Sequence, residues 1–290
     1  MAFFIRKPMR KRILTGLRQI EEKENIRIIY ACESGSRAWG FDSENSDYDV
    51  RFFFVRSQKY YNTIFPINYA DLTLDIGHSE TIKSMVQEDL DYVGHDVRKA
   101  LYLISKGNPD VISWLYSPVK YLESVHSHKI QAQAEKFFNT QTGIYHYIHM
   151  ANHNFTQYIL NRGSQEVLLK KYLYVIRPIV CCYFIEKFLQ APLATFTKCL
   201  ESVRQDIVKL GYADAIPEIY NLIKTKKSGT ELGYGKSNSI LNRFCSNSIE
   251  YFLNLRKIIP TDGKWTELDE LFNETIITQG GPHGSYLFPC

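Results

Sequence analysis

Residues 31–52, ACESGSRAWGFDSENSDYDVRF, decide how the chain folds. The stretch opens as a short apolar strand, turns through Gly35-Ser36, runs a helix-length segment to Gly40, and re-enters a strand carrying Asp47 and Asp49. Side chains two apart on a strand share a face, so this reading sets two carboxylates side by side. Like charges that close raise one another's pKa unless a cation resolves the conflict, and hard divalent ions such as Mg2+ take carboxylate oxygens. The Gly-Ser turn at the mouth of a helix offers backbone N–H groups and a hydroxyl to an anion. A site for a metal-bound polyphosphate is the chemistry these residue types share. The plainer reading of SENSDYD is a solvated turn that merely suits Asn, Ser and Asp. The Gly-Ser turn before it and the apolar strand after it favour the catalytic reading.

Outward from this stretch, IRIIYACESG (26–35) and YDVRFFFVR (48–56) are rich in β-branched and aromatic residues and predict two central strands. Upstream, residues 9–24 place Ile13, Leu14, Leu17 and Ile20 at helical spacing, an amphipathic helix suited to cover one face of a sheet. Downstream, an edge strand is expected at Leu72–Ile76. A further strand at Lys83–Tyr92 carries Asp89 and Asp91 and ends at Val93-Gly94. DVRKALYLISKGNP (96–109) then reads as a helix, with Asp96 as N-cap and Gly107-Asn108-Pro109 as its stop. Beyond VISWLYSP (111–118) the periodicity is helical over 125–139, 141–161, 165–190, 214–227 and 238–258. The fold class is therefore α+β, with a catalytic domain at 1–120 and an all-α domain at 121–290.

The chain has 290 residues, 44% hydrophobic, enough for one large domain or two ordinary ones. No apolar run is long enough to span a bilayer, and the charges in MAFFIRKPMRKR follow the apolar start, the reverse of a secretory signal. A cytoplasmic protein with no membrane partner is expected. Six cysteines without CxxC spacing point to reduced, buried thiols rather than to disulfides or zinc. A net charge of +4 permits a nucleic-acid partner without requiring one.

Strand, Gly-Ser, short helix, then a strand with Asp-x-Asp resembles the signature of the DNA polymerase β-type nucleotidyltransferase superfamily. ESGSRAWGFDSENSDYDVRF, DYVGHDVRKALYLISKGNPDVISWLYSPV and KKYLYVIRP resemble, more closely, the predicted nucleotidyltransferases of the RlaP type, linked to RNA repair and also found in phages. The resemblance implies a polymerase-β-like mixed sheet with flanking helices; the active site is expected in a cleft between the two halves of the chain, a common place for ligand pockets. The resemblance makes Gly35 and Ser36 the phosphate-cradling turn and Asp47 and Asp49 metal ligands. Asp91 is then the third carboxylate, with Asp89 in reserve. It further implies two Mg2+ ions, with Mn2+ as a substitute, and transfer of a nucleoside monophosphate from an NTP, ATP being the expected one. The acceptor hydroxyl would belong to RNA, a tRNA-like 3′ end in particular. The chain departs from the family at His95, where Trp is usual; that position either stacks on a base or packs a core.

Arg37 is read as a substrate contact, while Arg51 either meets substrate or balances the acids. On KKYLYVIRP, helical spacing puts Lys170, Tyr174 and Arg177 on one face, and the family block turns a basic face into a nucleotide contact. His146, His149 and His153 also share a helical face, but among aromatic and amide neighbours they read as cleft lining rather than metal ligands. GYGKS (233–237) lacks the spacing and the preceding strand of a phosphate-binding loop, so it is read as a plain loop, with Lys236 near the acceptor. Two other functions fit the same residues: nucleotidylation of a small molecule or protein, and a non-catalytic nucleotide- or RNA-binding module. Asp47, Asp49, Gly35 and Ser36 argue against the second.

Overall fold

A computed structural model of the chain describes residues 5–62, 80–87, 89–162, 166–228, 233–255 and 263–279. The expected edge strand at Leu72–Ile76, the break at Gly163-Ser164 and Cys290 lie outside these residues. The chain divides into two compact units. One, the sheet unit, takes the described residues of Met1–Ala38, Asp47–Phe137 and Thr261–Cys290; the other, the helical unit, takes those of Trp39–Ser46 and Phe138–Pro260.

The sheet unit is built on five strands in the order β3-β4-β2-β1-β5. They are β1 (Arg27–Glu33), β2 (Tyr48–Val55), β3 (Thr81–Gln87), β4 (Leu90–Asp96) and β5 (Lys120–Leu122). The sheet is mixed: β2 runs parallel to β4, and the other pairs are antiparallel. Helix α1 (Lys7–Glu24) buries Ile13, Gly16, Leu17 and Ile20. These pack with Val50, Phe52, Phe54 and Tyr92 on one face of the sheet. Tyr92 donates from its hydroxyl to the Ile13 carbonyl (3.2 Å), and a Cβ at Gly16 would lie 2.3 Å from that hydroxyl. On the opposite face Phe53 stacks against Tyr30 and Trp114.

Short helices follow the strands: α2 (Gly35–Trp39) after β1 and α3 (Gln58–Tyr61) after β2. Helix α4 (Val97–Ser105) is capped by Asp96, whose carboxylate accepts from the Arg98 N–H, and buries Val97, Ala100, Leu101 and Ile104. Asn108 caps α5 (Pro109–Leu115) in the same way, with Pro109 in the first turn. Helix α6 (Val125–Phe137) completes this run.

The expected strand at 83–92 is in fact a hairpin, β3 turning into β4, with Met85 opposite Asp91 and Gln87 opposite Leu90. The polar run Gln87-Glu88-Asp89 interrupts the alternation at the reversal and Asp89 suits a turn, but with no Gly, Pro or Asn beside it the turn signal is weak. Asp89 sits at the turn, where its carboxylate takes a fork of bonds from Arg12 (2.9 and 3.3 Å).

The helical unit packs α7 (Thr140–Tyr158), α8 (Lys170–Phe188), α9 (Phe196–Lys209), α10 (Ala215–Lys227) and α11 (Ser239–Asn254). Helix α8 is apolar nearly all round, as a central helix must be. A short pairing of β6 (Val167–Leu168) with β7 (Tyr234–Gly235) takes the place of the first turn of the helix expected over 165–190 and gives the GYGKS loop two paired strand residues. Phe41, fully buried, meets Phe196 edge-on at 5.8 Å in this unit.

By compactness the chain does not divide at 120/121. Helix α6 and the last helix, α12 (Trp265–Gln279), belong with the sheet. Lys136 and Gln133 reach Glu267, Lys129 reaches Glu274, and Tyr61 meets Phe272 edge-on. No described helix is long and apolar enough to cross a membrane. The five cysteines among the described residues are free and buried.

Candidate active site

The site forms where β1 ends and β2 begins. Glu33, the last residue of β1, is fully buried. Its carboxylate accepts the Asp49 N–H (2.9 Å) and a short bond from the Tyr121 hydroxyl. Burial pushes its pKa up to about 7, against the pull of those two donors. The Ser34 N–H is spent on the Asp49 carbonyl (2.8 Å), which ties the turn to β2.

Gly35 adopts φ +58°, and a Cβ there would lie 1.9 Å from Asp49 Oδ2. Both facts demand glycine. Helix α2 starts at Gly35, so Ser36 belongs to its first turn rather than capping it. The first N–H groups of a helix lack intrahelical partners, which suits this turn to an anion.

The two acids expected on one strand separate at its edge. β2 starts at Tyr48, leaving Asp47 exposed just before it. Arg37 donates from Nε to the Asp47 carbonyl (3.2 Å) and lies 3.8 Å over the Tyr48 ring. Asp49 is instead in register with Asp91, its Cα partner across the parallel β2–β4 pair. Asp91 is thus beside Asp49, whereas Asp89 is at the turn with Arg12.

Arg51 binds both acids of this pair. Its Nη2 donates to Asp49 Oδ1 and Asp91 Oδ2, each at 3.0 Å. Its Nη1 donates to the carbonyls of Asp91 (3.1 Å) and Val50 (3.2 Å). Of the two uses open to Arg51, the structure therefore displays charge balance. Burial still raises the pKa of Asp49, with Asp91 and Asp47 adding to the effect and Arg51 opposing it.

The oxygen-only donor set of Asp49, Asp91 and nearby Asp47 fits a hard divalent cation in kind. Among the described residues, however, no three acidic, histidine or cysteine side chains are grouped closely enough to hold a metal. Between Asp49 and Asp91 the positive charge is a guanidinium.

His95, on the same face of β4 as Asp91, stacks on Trp114 at 4.9 Å. Burial and Lys99 push its pKa down to about 4, so it packs as a neutral ring. Lys170, Tyr174 and Arg177 lie in the helical unit. There Arg177 is buried, with its guanidinium 4.0 Å over Trp39, and Tyr174 meets Trp39 edge-on. On α7, His146 lies edge-on to Tyr147, His149 is exposed and packs on Tyr145, and His153 is exposed.

Sequence reasoning passed over Glu33 and Tyr121. The signal for Glu33 was an acid closing an otherwise apolar strand, directly before the Gly-Ser turn. Tyr121, 88 positions away, gave none.

A mixed sheet whose parallel central strands align two acids beside a strand, Gly-Ser turn and short helix is the arrangement that the resemblance to the DNA polymerase β-type class implies. The sequence model of the RNA repair pathway DNA polymerase beta family, RlaP, matches residues 9–274, and the chain belongs to that family. It is also 33% identical over 272 residues to a protein of Bacillus subtilis (strain 168) named "Uncharacterized protein YcgL", an alignment covering 92% of this chain and 96% of that protein.

Proposed function

We propose that the chain moves a nucleoside monophosphate from an NTP, ATP first, to a hydroxyl of RNA and releases pyrophosphate. The observation that carries this reading is the register of Asp49 with Asp91 beside Gly35. Asp47, Asp49 and Asp91 would hold Mg2+, with Mn2+ as a substitute. When bound, such ions supply positive charge to the attacking oxygen and to the leaving phosphates.

The chain's own residues do the rest. The backbone of Gly35 and Ser36 takes the triphosphate at the start of α2, and glycine keeps that approach clear of a side chain. Asp91 takes the proton of the acceptor hydroxyl. The new O–P bond then forms at the α-phosphorus as the bond to the β-phosphate oxygen breaks. Arg37 orients the phosphates, and the family resemblance adds Lys170, Tyr174 and Arg177 as nucleotide contacts. An RNA acceptor, with a tRNA-like 3′ end first, follows from the family's link to RNA repair, and the cytoplasm is the compartment that fits it.

The test incubates the full chain with each labelled NTP, Mg2+ and total RNA. Label should enter RNA, and Asp49→Ala should reduce incorporation by about a thousand-fold or more. Label on protein or small molecules would replace RNA as the acceptor. No pyrophosphate with any acceptor would leave a binding module instead.

A further inference from the structure

One amino group of Arg51 holds both carboxylates of the aligned pair. Nη2 has two hydrogens, and its two acceptors are Asp49 Oδ1 and Asp91 Oδ2, both at 3.0 Å. An ion that bridges these same two oxygens competes with that nitrogen for them. The side chain of Arg51 is only 16% exposed, against 30% for Asp49 and 44% for Asp91, so the guanidinium lies beneath the acids rather than reaching in from solvent. Its other amino group is fixed independently of them, on the carbonyls of Asp91 and Val50. Losing the carboxylates would leave Arg51 tethered in place with a free positive end.

We propose that Arg51 is a built-in counter-ion that closes the metal position in the nucleotide-free chain: Nη2 stands between Asp49 and Asp91 until a divalent cation arriving with a triphosphate displaces it. The inference rests on the metal-dependent reading above. Metal alone offers the displaced guanidinium no new partner, whereas metal with triphosphate offers it phosphate oxygens, to which arginine forks well. The site therefore binds metal weakly by itself and strongly with nucleotide. Arg51 is a positioning residue for the acids, not a group that reacts.

The experiment measures Mn2+ binding to the full chain from the paramagnetic resonance of free Mn2+, with and without ATP. The wild-type chain should bind Mn2+ weakly alone and far more tightly with ATP. Arg51→Gln should bind Mn2+ alone about ten-fold more tightly, the scale of one lost competing ion pair, and should gain correspondingly less from ATP. Arg12→Gln removes an equal charge from nearby Asp89 and should leave Mn2+ binding unchanged. Circular dichroism checks the fold; should Arg51→Gln fail to fold, Arg51→Lys, which keeps charge but not the fork, should shift affinity the same way by less. Equal or weaker Mn2+ binding by a folded Arg51 variant overturns the inference alone, as does an equal gain in Arg12→Gln. No Mn2+ binding by any of these chains, with or without ATP, overturns the metal-dependent reading as well.

Discussion

The sheet unit and the helical unit treat charge in opposite ways. The first buries Glu33 and Asp96 and gathers Asp49, Arg51 and Asp91 at one end of two paired strands. The second surrounds α8 with apolar side chains, and the buried charged group among its described residues is Arg177, laid on Trp39. Burying charge costs stability unless every partner is in place, while burying hydrocarbon supplies it. β2 shows the contrast within one strand: Asp49 and Arg51 precede Phe52, Phe53 and Phe54, each fully buried. The difference teaches that the acids sit at the end of a rigid strand anchored by aromatic rings, so that chemistry and stability should separate by location.

The hardest blow to that separation aims at the helical core. Phe244 is fully buried against Tyr183 and Tyr212. Phe244→Ala should cost about 3–5 kcal/mol in urea unfolding while transfer per folded molecule stays near wild type. A large loss of turnover at full folding would break the comparison.

Gly35→Ala should split the other way. The left-handed backbone costs about 1–2 kcal/mol for a non-glycine residue, and the added Cβ must push Asp49 aside. Transfer should fall far more than the melting temperature does; a variant that melts early yet turns over normally would contradict the assigned role of that turn.

Glu33 sharpens the contrast through pH. Its folded pKa, raised to about 7 by burial, lies above the ordinary carboxylate value of 4.5. The fold thus binds this proton more tightly than the unfolded chain does. Its contribution is complete below about 4.5 and is lost as pH rises towards 7. Glu33→Gln cannot lose that proton, so its melting temperature should gain on the wild type between pH 5 and pH 8. A gap that is constant, or that moves the other way, would show that the Tyr121 and Asp49 donors hold Glu33 ionised.

The smallest effect belongs to Arg12 and Asp89, an exposed pair with side chains 42% and 44% exposed. Arg12→Gln should change stability by about 1 kcal/mol or less. A larger loss in denaturant titration would make the hairpin turn a structural anchor of the site.

Much of this was legible in the residues. Hydrophobic period located α1, β1, β2, α4 and most of the helical unit to within a few positions, because each buries a continuous apolar face. The spacing from Gly35-Ser36 to Asp47 and Asp49 singled out the candidate site, since few other uses require glycine, hydroxyl and acids in that order. Three features stayed hidden. The β3–β4 reversal is marked by Asp89 alone, without Gly, Pro or Asn, and α9 and α12 were not separated from the helical background around them. The bridge from Arg51 to Asp91 spans 40 positions and depends on strand pairing that no local pattern reports. Asp91 itself was reached through family resemblance, not through spacing.

Helix α12 has a consequence for how the chain matures. It is made after all the helices of the helical unit, yet it packs on α4 and α6 in the sheet unit. During synthesis from the N-terminus, the strands bearing Asp49 and Asp91 emerge before the helical unit and wait for α12. The helices between can pair with near neighbours meanwhile, whereas α12 must close a loop of more than a hundred residues to reach α6, a slow search of high contact order. The part of the chain that carries the acids is thus translated before the helical unit and covered after it.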